Sequence, residues 1–367
     1  MKVLTIKEIC TFFNIEGVYK GCEEVPTGNI NSTYKVTFLN QGENREYILQ
    51  KINKSVFTEP EKVMDNIVRV THHVRMTILK RGLPTRKFVL RAFTSKNDED
   101  PFVIDDHGEY WRCYRFIENS VTYDTCESLS IIEKAGTAFG RFQSCLDGFD
   151  VNSLFITIPN FHNTIARYEA LAKAVEIDCR NRVAKVKSEL ESLAKFKEKA
   201  TKLQKLLDSG EIPLTVTHND TKCNNVSFDK DTGEALAVLD LDTVMPGIVA
   251  HDFGDAIRFI ANTVIEDCPD VDSVALDLYK YEAFTKGFVT EIKNNLTQTE
   301  KQTLNLGVFT MTVELAVRFL TDYLNGDTYF KTKYPGHNVD RARNQIALAE
   351  DILRKESEMD YILKKYI

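Results

Sequence analysis

The sequence predicts an α+β protein: a small antiparallel, strand-rich N-terminal part with one main helix, then a larger helical part. Three observations point there. Residues 32–52 read as a hairpin followed by one amphipathic helix, and three further strand-like runs end near residue 117. From Ser120 onward the apolar period is helical, interrupted by one hairpin over 226–239. The expected division is 1–117 and 118–367, with no internal repeat or low-complexity linker between the two parts.

Taken in order, Tyr34, Val36 and Phe38 alternate onto one face of the first strand, Asn40-Gln41-Gly42 forms a turn, and Glu46 to Ile52 returns. Thr58 precedes Glu61 in a capping-box pattern, and Val63, Ile67, Val70, Val74 and Ile78 recur at helical spacing until Gly82 and Pro84 end the run. Strands are expected at Lys87 to Thr94, Pro101 to Asp105 and Glu109 to Ile117, the last two joined by Asp106-His107-Gly108. Helical periodicity covers Cys126 to Leu146 and Phe161 to Leu207. Within the latter, Val183, Val186, Leu190 and Leu193 supply a buried stripe and the many Lys, Arg and Glu residues a solvated face.

Composition narrows the function classes. With 43% apolar and 28% charged residues in 367, the chain can bury a substantial core and is neither disordered nor fibrous. A net charge of −7 opposes nonspecific nucleic-acid binding, and the basic stretch from Arg180 to Lys205 is balanced by its own glutamates. Eight scattered cysteines without a C-x-x-C pair suggest neither a zinc site nor a disulfide framework, and a reducing cytoplasm suits them. Lys7 and Glu8 interrupt the N-terminus before a signal-like run develops, and no later apolar stretch is expected to reach membrane-spanning length. Neither a membrane nor a nucleic acid is an expected partner. The oligomeric state is left open.

The chemistry concentrates in Thr217 to Asp242, THNDTKCNNVSFDKDTGEALAVLDLD, which places His218, Asp220, Asn225 and Asp240 on a loop, a hairpin and a strand end. In phosphoryl transfer from ATP, a protein supplies one carboxylate for the attacking hydroxyl and oxygen ligands for magnesium ions that bridge the phosphates. Asp220 suits the first role, and Asn225 with Asp240 the second. His218 is expected to pack and shape its loop, with no part in proton transfer.

This order of parts resembles the protein-kinase-like bilobal fold, in the version found in the aminoglycoside phosphotransferase and choline kinase group. PTGNINSTYKV (Pro26 to Val36), YILQKIN (Tyr47 to Asn53), YRFIENSVTYD (Tyr114 to Asp124), THNDTKCNNV (Thr217 to Val226), LDLDTVMPG (Leu239 to Gly247) and LAVRFLTDYLNGDTYF (Leu315 to Phe330) look like N-acetylhexosamine 1-kinases. The resemblance implies an ATP- and magnesium-dependent kinase that phosphorylates the anomeric hydroxyl of an N-acetylhexosamine. It implies that Asp220 accepts or orients the hydroxyl proton and that Asn225 and Asp240 ligate magnesium, with Asp242 a further ligand or a group behind them. Gly28 with Asn31 would cover the phosphates, Phe116, Ile117 and Glu118 would receive adenine, and Phe259, Arg318 and Tyr329 would line the sugar pocket.

Two departures matter. The Lys expected to pair with phosphate falls on Gln50, which takes the nucleotide-facing position. Lys51 points to the opposite face unless a bulge intervenes, and its helix partner is either Glu61 or Asp65. His251-Asp252-Phe253-Gly254 contains D-F-G, but Asp252 is expected to brace the loop, with Arg258 as a partner. Two alternatives stay open: a kinase of another alcohol acceptor (another sugar, choline, homoserine or an aminoglycoside), and a nucleotide-binding pseudokinase. A protein kinase is disfavoured, since no A-P-E-like segment follows Asp240.

Overall fold

The structure, a computed structural model, describes residues 4–26 and 30–367. Its first elements are α1 (Ile6–Cys10), β1 (Val18–Val25), β2 (Ser32–Asn40), β3 (Glu43–Lys51), α2 (Pro60–Lys80), α3 (Thr85–Phe88), β4 (Ala92–Phe93), β5 (Val103–Ile104), β6 (Tyr110–Arg115) and β7 (Ser120–Val121). Then come α4 (Leu129–Cys145), α5 (Thr164–Ile177), α6 (Lys187–Ala200), α7 (Lys202–Asp208), β8 (Thr215–Thr217), β9 (Val226–Asp229), β10 (Ala235–Val238) and β11 (Met245–Gly247). The chain closes with α8 (Val249–Ile260), α9 (Leu278–Ile292), α10 (Gln298–Asn325), α11 (His337–Arg354) and α12 (Glu356–Leu363). The chain separates into two compact units. The smaller holds the residues up to Thr122 with Gly148–Ile158 and Ser227–Met245, and the larger holds Tyr123–Asp147, Pro159–Val226 and Pro246–Ile367.

In the small unit an antiparallel sheet runs β1-β2-β3-β6-β4, with β5 also on β6. Ile9, Phe13, Val36, Leu49, Trp111 and Cys113 form its core. The helix expected after residue 58 is α2, and Val63, Ile67, Val70, Val74 and Ile78 are its buried stripe. It starts later than the sequence suggests: Glu59 is its N-cap without a side-chain cap, so the expected Thr58–Glu61 box does not form. Pro60, with φ preset for the first helical position, fixes that start. Of the strand expected over Lys87 to Thr94, Lys87 and Phe88 belong to the single turn α3 and only the two residues of β4 are strand. β1 escapes sequence reading because an edge strand of sequence VYKGCEEV, largely exposed on both faces, shows no apolar alternation.

In the large unit, α10 packs on α5, α6, α8 and α11, and α4 packs on α9. Close approach of α8 to α10 depends on glycine, since a Cβ on Gly254 would lie 2.3 Å from the Gly307 carbonyl oxygen. Contrary to the sequence expectation, α10 is long and apolar enough to cross a membrane. However, 83% of its apolar window is buried inside the unit, as in a central core helix. The long helical run from Phe161 is broken, because Asp178 caps α5 in the left-handed region and a short 3-10 turn at Val183–Lys185 precedes α6. Of the expected stripe, Val186 and Leu193 are buried.

Candidate active site

In the large unit the polar loop after β8 is held by buried groups rather than by its own sequence. Asp252 of α8 accepts the backbone N–H groups of His218 at 2.8 Å and Asn219 at 2.7 Å, and Gln143 of α4 donates to the same carboxylate at 3.1 Å. Asp255, one turn on, accepts the Thr221 N–H at 3.2 Å. Arg258 pairs with Asp255 at 2.8 Å and Glu266 at 2.6 Å, not with Asp252 as the sequence suggested; three residues of spacing put Asp255 on its own helix face. Burial raises the Asp252 carboxyl above the usual range against these donors. For Asp255 burial works the same way, but Arg258 and Lys222 override it and hold that carboxyl low. His218 is fully buried, edge-on to Phe139 and Phe142, and its Nδ1 accepts the Asp220 N–H at 3.2 Å.

Those braces present Asp220. Its Oδ1 meets Lys222 Nζ at 2.6 Å, and the Asn225 amide donates to the Asp220 carbonyl at 2.8 Å and to Oδ2 at 3.2 Å. Asp220 raises the Lys222 pKa, which keeps that ammonium charged despite burial. With its Nδ2 committed to Asp220, the Asn225 side chain turns its carbonyl oxygen, a hard donor suited to magnesium, away from that bond. Cys223, between Asp220 and Asn225, is bonded to Cys126 across a Cα separation of 6.4 Å. This corrects the expectation of unpaired cysteines: 97 residues separate the two, so tertiary folding alone brings them together.

A second layer links the loop to α10. His162 lies 3.2 Å from the Asn219 carbonyl through Nε2 and 2.9 Å from Glu314 through Nδ1, and Thr164 donates to the other Glu314 oxygen at 2.7 Å. Burial opposes the Glu314 charge, yet His162 and Arg318 hold its pKa down to about 2. His251, 5.3 Å ring to ring from His162, is driven by burial and by that neighbour down to about 3. It is a neutral imidazole at pH 7.

One turn after Glu314, Arg318 lies over three rings, at 5.4 Å from Phe161, 6.0 Å from Tyr329 and 5.6 Å from Phe330. It has no hydrogen bond or ion pair of its own among the described residues. Asp322 builds the loop beside it by accepting the N–H groups of Thr328, Tyr329 and Phe330 at 2.9, 2.8 and 2.9 Å. Arg167 sits close enough that Arg318 lowers its pKa, after burial, and its Nε is buried with no partner. Phe259, on α8, is half-buried.

The small unit holds the other predicted residues. Asp240 ends the strand β10 exposed and left-handed, with φ 53°, a conformation that Asp tolerates better than most residues. Asp242 is buried, and both its oxygens are taken. Arg112 binds it through two guanidinium nitrogens, NH2 at 2.9 Å, and Asn31 donates to Oδ2 at 2.7 Å. Asn31 in turn accepts the Asn53 N–H at 3.0 Å. Gln50 accepts from Arg112 Nε at 3.0 Å and donates to Thr33 Oγ1 at 3.0 Å.

The β3–β6 register runs unbroken from Tyr47↔Arg115 to Lys51↔Trp111, so no bulge brings Lys51 round to the Gln50 face. Of the two candidate helix acids, Glu61 accepts the Tyr110 hydroxyl and Asp65 pairs with Arg69 at 2.6 Å. Phe116 donates its N–H to Glu46 at 3.2 Å, Ile117 is buried against Leu236 and Ala237, and Glu118 pairs with Arg45 at 3.0 Å. Gly28 lies outside the described residues.

Residues of these networks missing from the sequence reading include Asp255, His162 and Glu314, and also Arg112, Lys222 and Arg167. Arg112 had a signal, a charge inside the apolar strand run YWRCY, and Lys222 stood two residues after Asp220. Nothing in the sequence marks Arg167. Among the described residues, no group of three or more His, Cys, Asp and Glu side chains forms a ready metal cage. Magnesium of the phosphoryl-transfer kind needs only one or two protein oxygens beside phosphate and water.

The phosphotransferase enzyme family matches residues 21–283, more than half of the chain. Solved structures of similar fold include the GDP complex of aminoglycoside 2'-phosphotransferase-IIIa, with 13% identity, a TM-score of 0.54, and coverage of 90% of this chain and 93% of that one. Choline kinase from Cryptosporidium parvum Iowa II has 12% identity and a TM-score of 0.52, covering 93% and 90%. Plasmodium vivax ethanolamine kinase has 11% and 0.51, covering 89% and 82%. At such identities the likeness establishes the fold, which is kinase-like and of the α+β class.

Proposed function

Because the chain belongs to the phosphotransferase enzyme family, we propose that it transfers the terminal phosphoryl group of ATP to the anomeric hydroxyl of an N-acetylhexosamine. The observation that carries the acceptor class is Arg318, a guanidinium without a carboxylate partner, set among three aromatic rings with Arg167 beside it. A choline or an aminoglycoside is a cation, and like charges 4 Å apart repel by roughly 1–4 kcal/mol between bulk-water and surface dielectrics. Glu314, one turn before Arg318 on α10, is already engaged by His162 and Thr164. A neutral sugar suits the same groups. Its apolar face stacks on an aromatic ring, and the planar donors of Arg318 hold a pair of sugar oxygens or an acetamide carbonyl.

Asp220, paired with Lys222, takes the role of accepting the acceptor hydroxyl's proton at its carboxylate. An anomeric hydroxyl is more acidic than an ordinary alcohol, so orientation by Asp220 counts for more than basicity. Magnesium, when bound, offsets the charge of the phosphates; the Asn225 carbonyl oxygen and the Asp240 carboxylate are the groups assigned to hold it. Asp242, with both oxygens committed, serves as the anchor of that strand end. The phosphate loop is assigned to Gly28 with Asn31, and adenine to the backbone near Glu118, since the Phe116 N–H and the Ile117 carbonyl already have partners.

The test is magnesium-dependent ADP release with N-acetylglucosamine, N-acetylgalactosamine, unsubstituted hexoses, choline and an aminoglycoside, with phosphorus NMR locating the new ester. The expected result is turnover on an N-acetylhexosamine with phosphate on its anomeric carbon. Faster turnover of choline or the aminoglycoside would sink the acceptor reading. Nucleotide binding without turnover on any acceptor would favour a pseudokinase.

A further inference from the structure

Besides Arg112, the small unit has a concentration of positive charge. A cleft of 190 Å³ is lined by Val68, His72 and Arg75 of α2, by Arg91, and by Arg115 at the end of β6. Arg91 and Arg115 sit directly opposite one another, because Ala92 pairs with Tyr114 and the Arg115 N–H bonds the Arg91 carbonyl at 2.9 Å. Like charges placed opposite across a strand pair repel. Arg86 of α3 adds a fourth guanidinium. Burial, then Arg91, Arg86 and Arg75, oppose the charge on half-buried Arg115, with the Tyr47 phenol acting the other way. None of the four arginines has an ion pair among the described residues. In a chain of net charge −7 this is a local field of opposite sign, without an ion-pair partner among the described residues.

We propose that this cleft is a binding site for a phosphate-bearing small anion, separate from the nucleotide-binding residues. Guanidinium forks match phosphate geometry with paired charge-assisted bonds, and the three that line the cleft, Arg75, Arg91 and Arg115, with Arg86 acting on Arg115 from α3, would each lose repulsion when a dianion enters. The cleft is smaller than sites for drug-sized ligands, which argues for inorganic phosphate or a single phosphate ester rather than a nucleoside triphosphate. The apolar share of the lining, Val68, Val89, Leu90 and Pro101, leaves room for a compact organic body behind the phosphate. The site ties α2 to β6, the strand that also carries Arg112, and so gives an anion a route to influence the Asp242 network.

The proposal does not depend on which alcohol the enzyme phosphorylates. The full-length protein, saturated with magnesium and a non-hydrolysable ATP analogue to fill the nucleotide site, would be titrated by calorimetry with inorganic phosphate and, separately, a hexose 1-phosphate. Saturable one-to-one binding of either probe is expected, weakened at least tenfold in Arg75→Gln/Arg91→Gln, with turnover retained. Tighter binding of the hexose 1-phosphate would identify the ester, and equal binding the bare anion. Arg75 is exposed on its helix, so Arg75→Glu alone provides a folded variant and should also weaken binding about tenfold. Binding unchanged in these variants, or no saturable binding by either probe, overturns the proposal.

Discussion

The two units fix their candidate carboxylates by different means. In the large unit Asp220 sits on a loop whose backbone N–H groups are tied to buried Asp252 and Asp255, so the main chain itself is braced. In the small unit Asp242 is gripped through its side chain, by Arg112 and Asn31 from elements more than a hundred residues away in sequence. A braced backbone keeps its shape when one side chain changes, whereas a buried charge pair fails when either member is lost. The first arrangement leaves Asp220 adjustable, and the second makes Asp242 a structural dependency beside the exposed, left-handed Asp240.

This contrast is broken or sharpened by mutation. Asp220→Asn is expected to have the largest effect, lowering kcat by about two to four orders of magnitude, the range for loss of a general base. ATP should still bind and the melting temperature should hardly change. Near-normal turnover would remove Asp220 from the reaction. Asp240→Ala should weaken magnesium-dependent nucleotide binding while leaving the Arg112–Asp242 pair in place; binding equal to wild type in a magnesium titration would dismiss it as a ligand.

Arg112→Ala ought to act on folding first. It leaves Asp242 buried and unpaired, a loss of about 3–5 kcal/mol, readable as a shift in the denaturant midpoint. The double variant Arg112→Met/Asp242→Leu should regain much of that loss. A single variant as stable as wild type would show that the pair does not hold the strand end.

The same contrast explains what could be read in advance. The hairpin over β2 and β3, the stripe of α2 and the order Asp220, Asn225, Asp240 are local patterns, carried by alternation, helical period and a dense polar loop. The Asp252 brace was legible because that acid follows Asp220 by 32 residues and does not end the hairpin strand as Asp240 does. Its partner was misassigned, since Arg258 reaches Asp255 on the same helix face. What stayed hidden was long-range: Arg112 across to Asp242, Arg167 beside Arg318, and Cys126 with Cys223. Each meets a partner that only tertiary folding supplies, so no window of sequence contains the signal. β1 was missed for the opposite reason, as an edge strand whose residues are mostly in water needs no apolar pattern.

The Cys126–Cys223 bond adds a covalent brace to the large unit's loop and tests how much the backbone ties achieve alone. Closing a loop of this length limits the unfolded chain, and such bonds typically contribute about 2–4 kcal/mol. Cys126→Ser, or treatment with a thiol reductant, is therefore expected to lower the unfolding free energy by about that amount, read from a denaturant titration. The Michaelis constants should stay near those of the oxidised protein, because Asp252, Asp255 and His218 still hold the loop. A collapse of turnover with unchanged stability would mean that the bond, rather than the buried acids, sets the position of Asp220.

The smallest expected effect concerns pH and distinguishes the units by the group that titrates. His251 has an ordinary pKa near 6.5 in the unfolded chain and about 3 in the fold, because burial and His162 oppose its charge. Between those values the unfolded state binds the extra proton. Its contribution is therefore complete above 6.5 and declines as pH falls toward 3, by about 1.4 kcal/mol per unit at most. Glu314 faces the same imidazole but, held near 2, stays ionised in the fold throughout that window and adds no slope until the unfolded carboxylate protonates near 4.5. Asp255, also close to His251, is held low and behaves alike. Melting curves between pH 7 and 5 should thus show stability falling with acid, and His251→Gln should flatten that dependence. A slope unchanged in the variant would place the acid sensitivity elsewhere and leave the loop's second layer indifferent to protonation over this range.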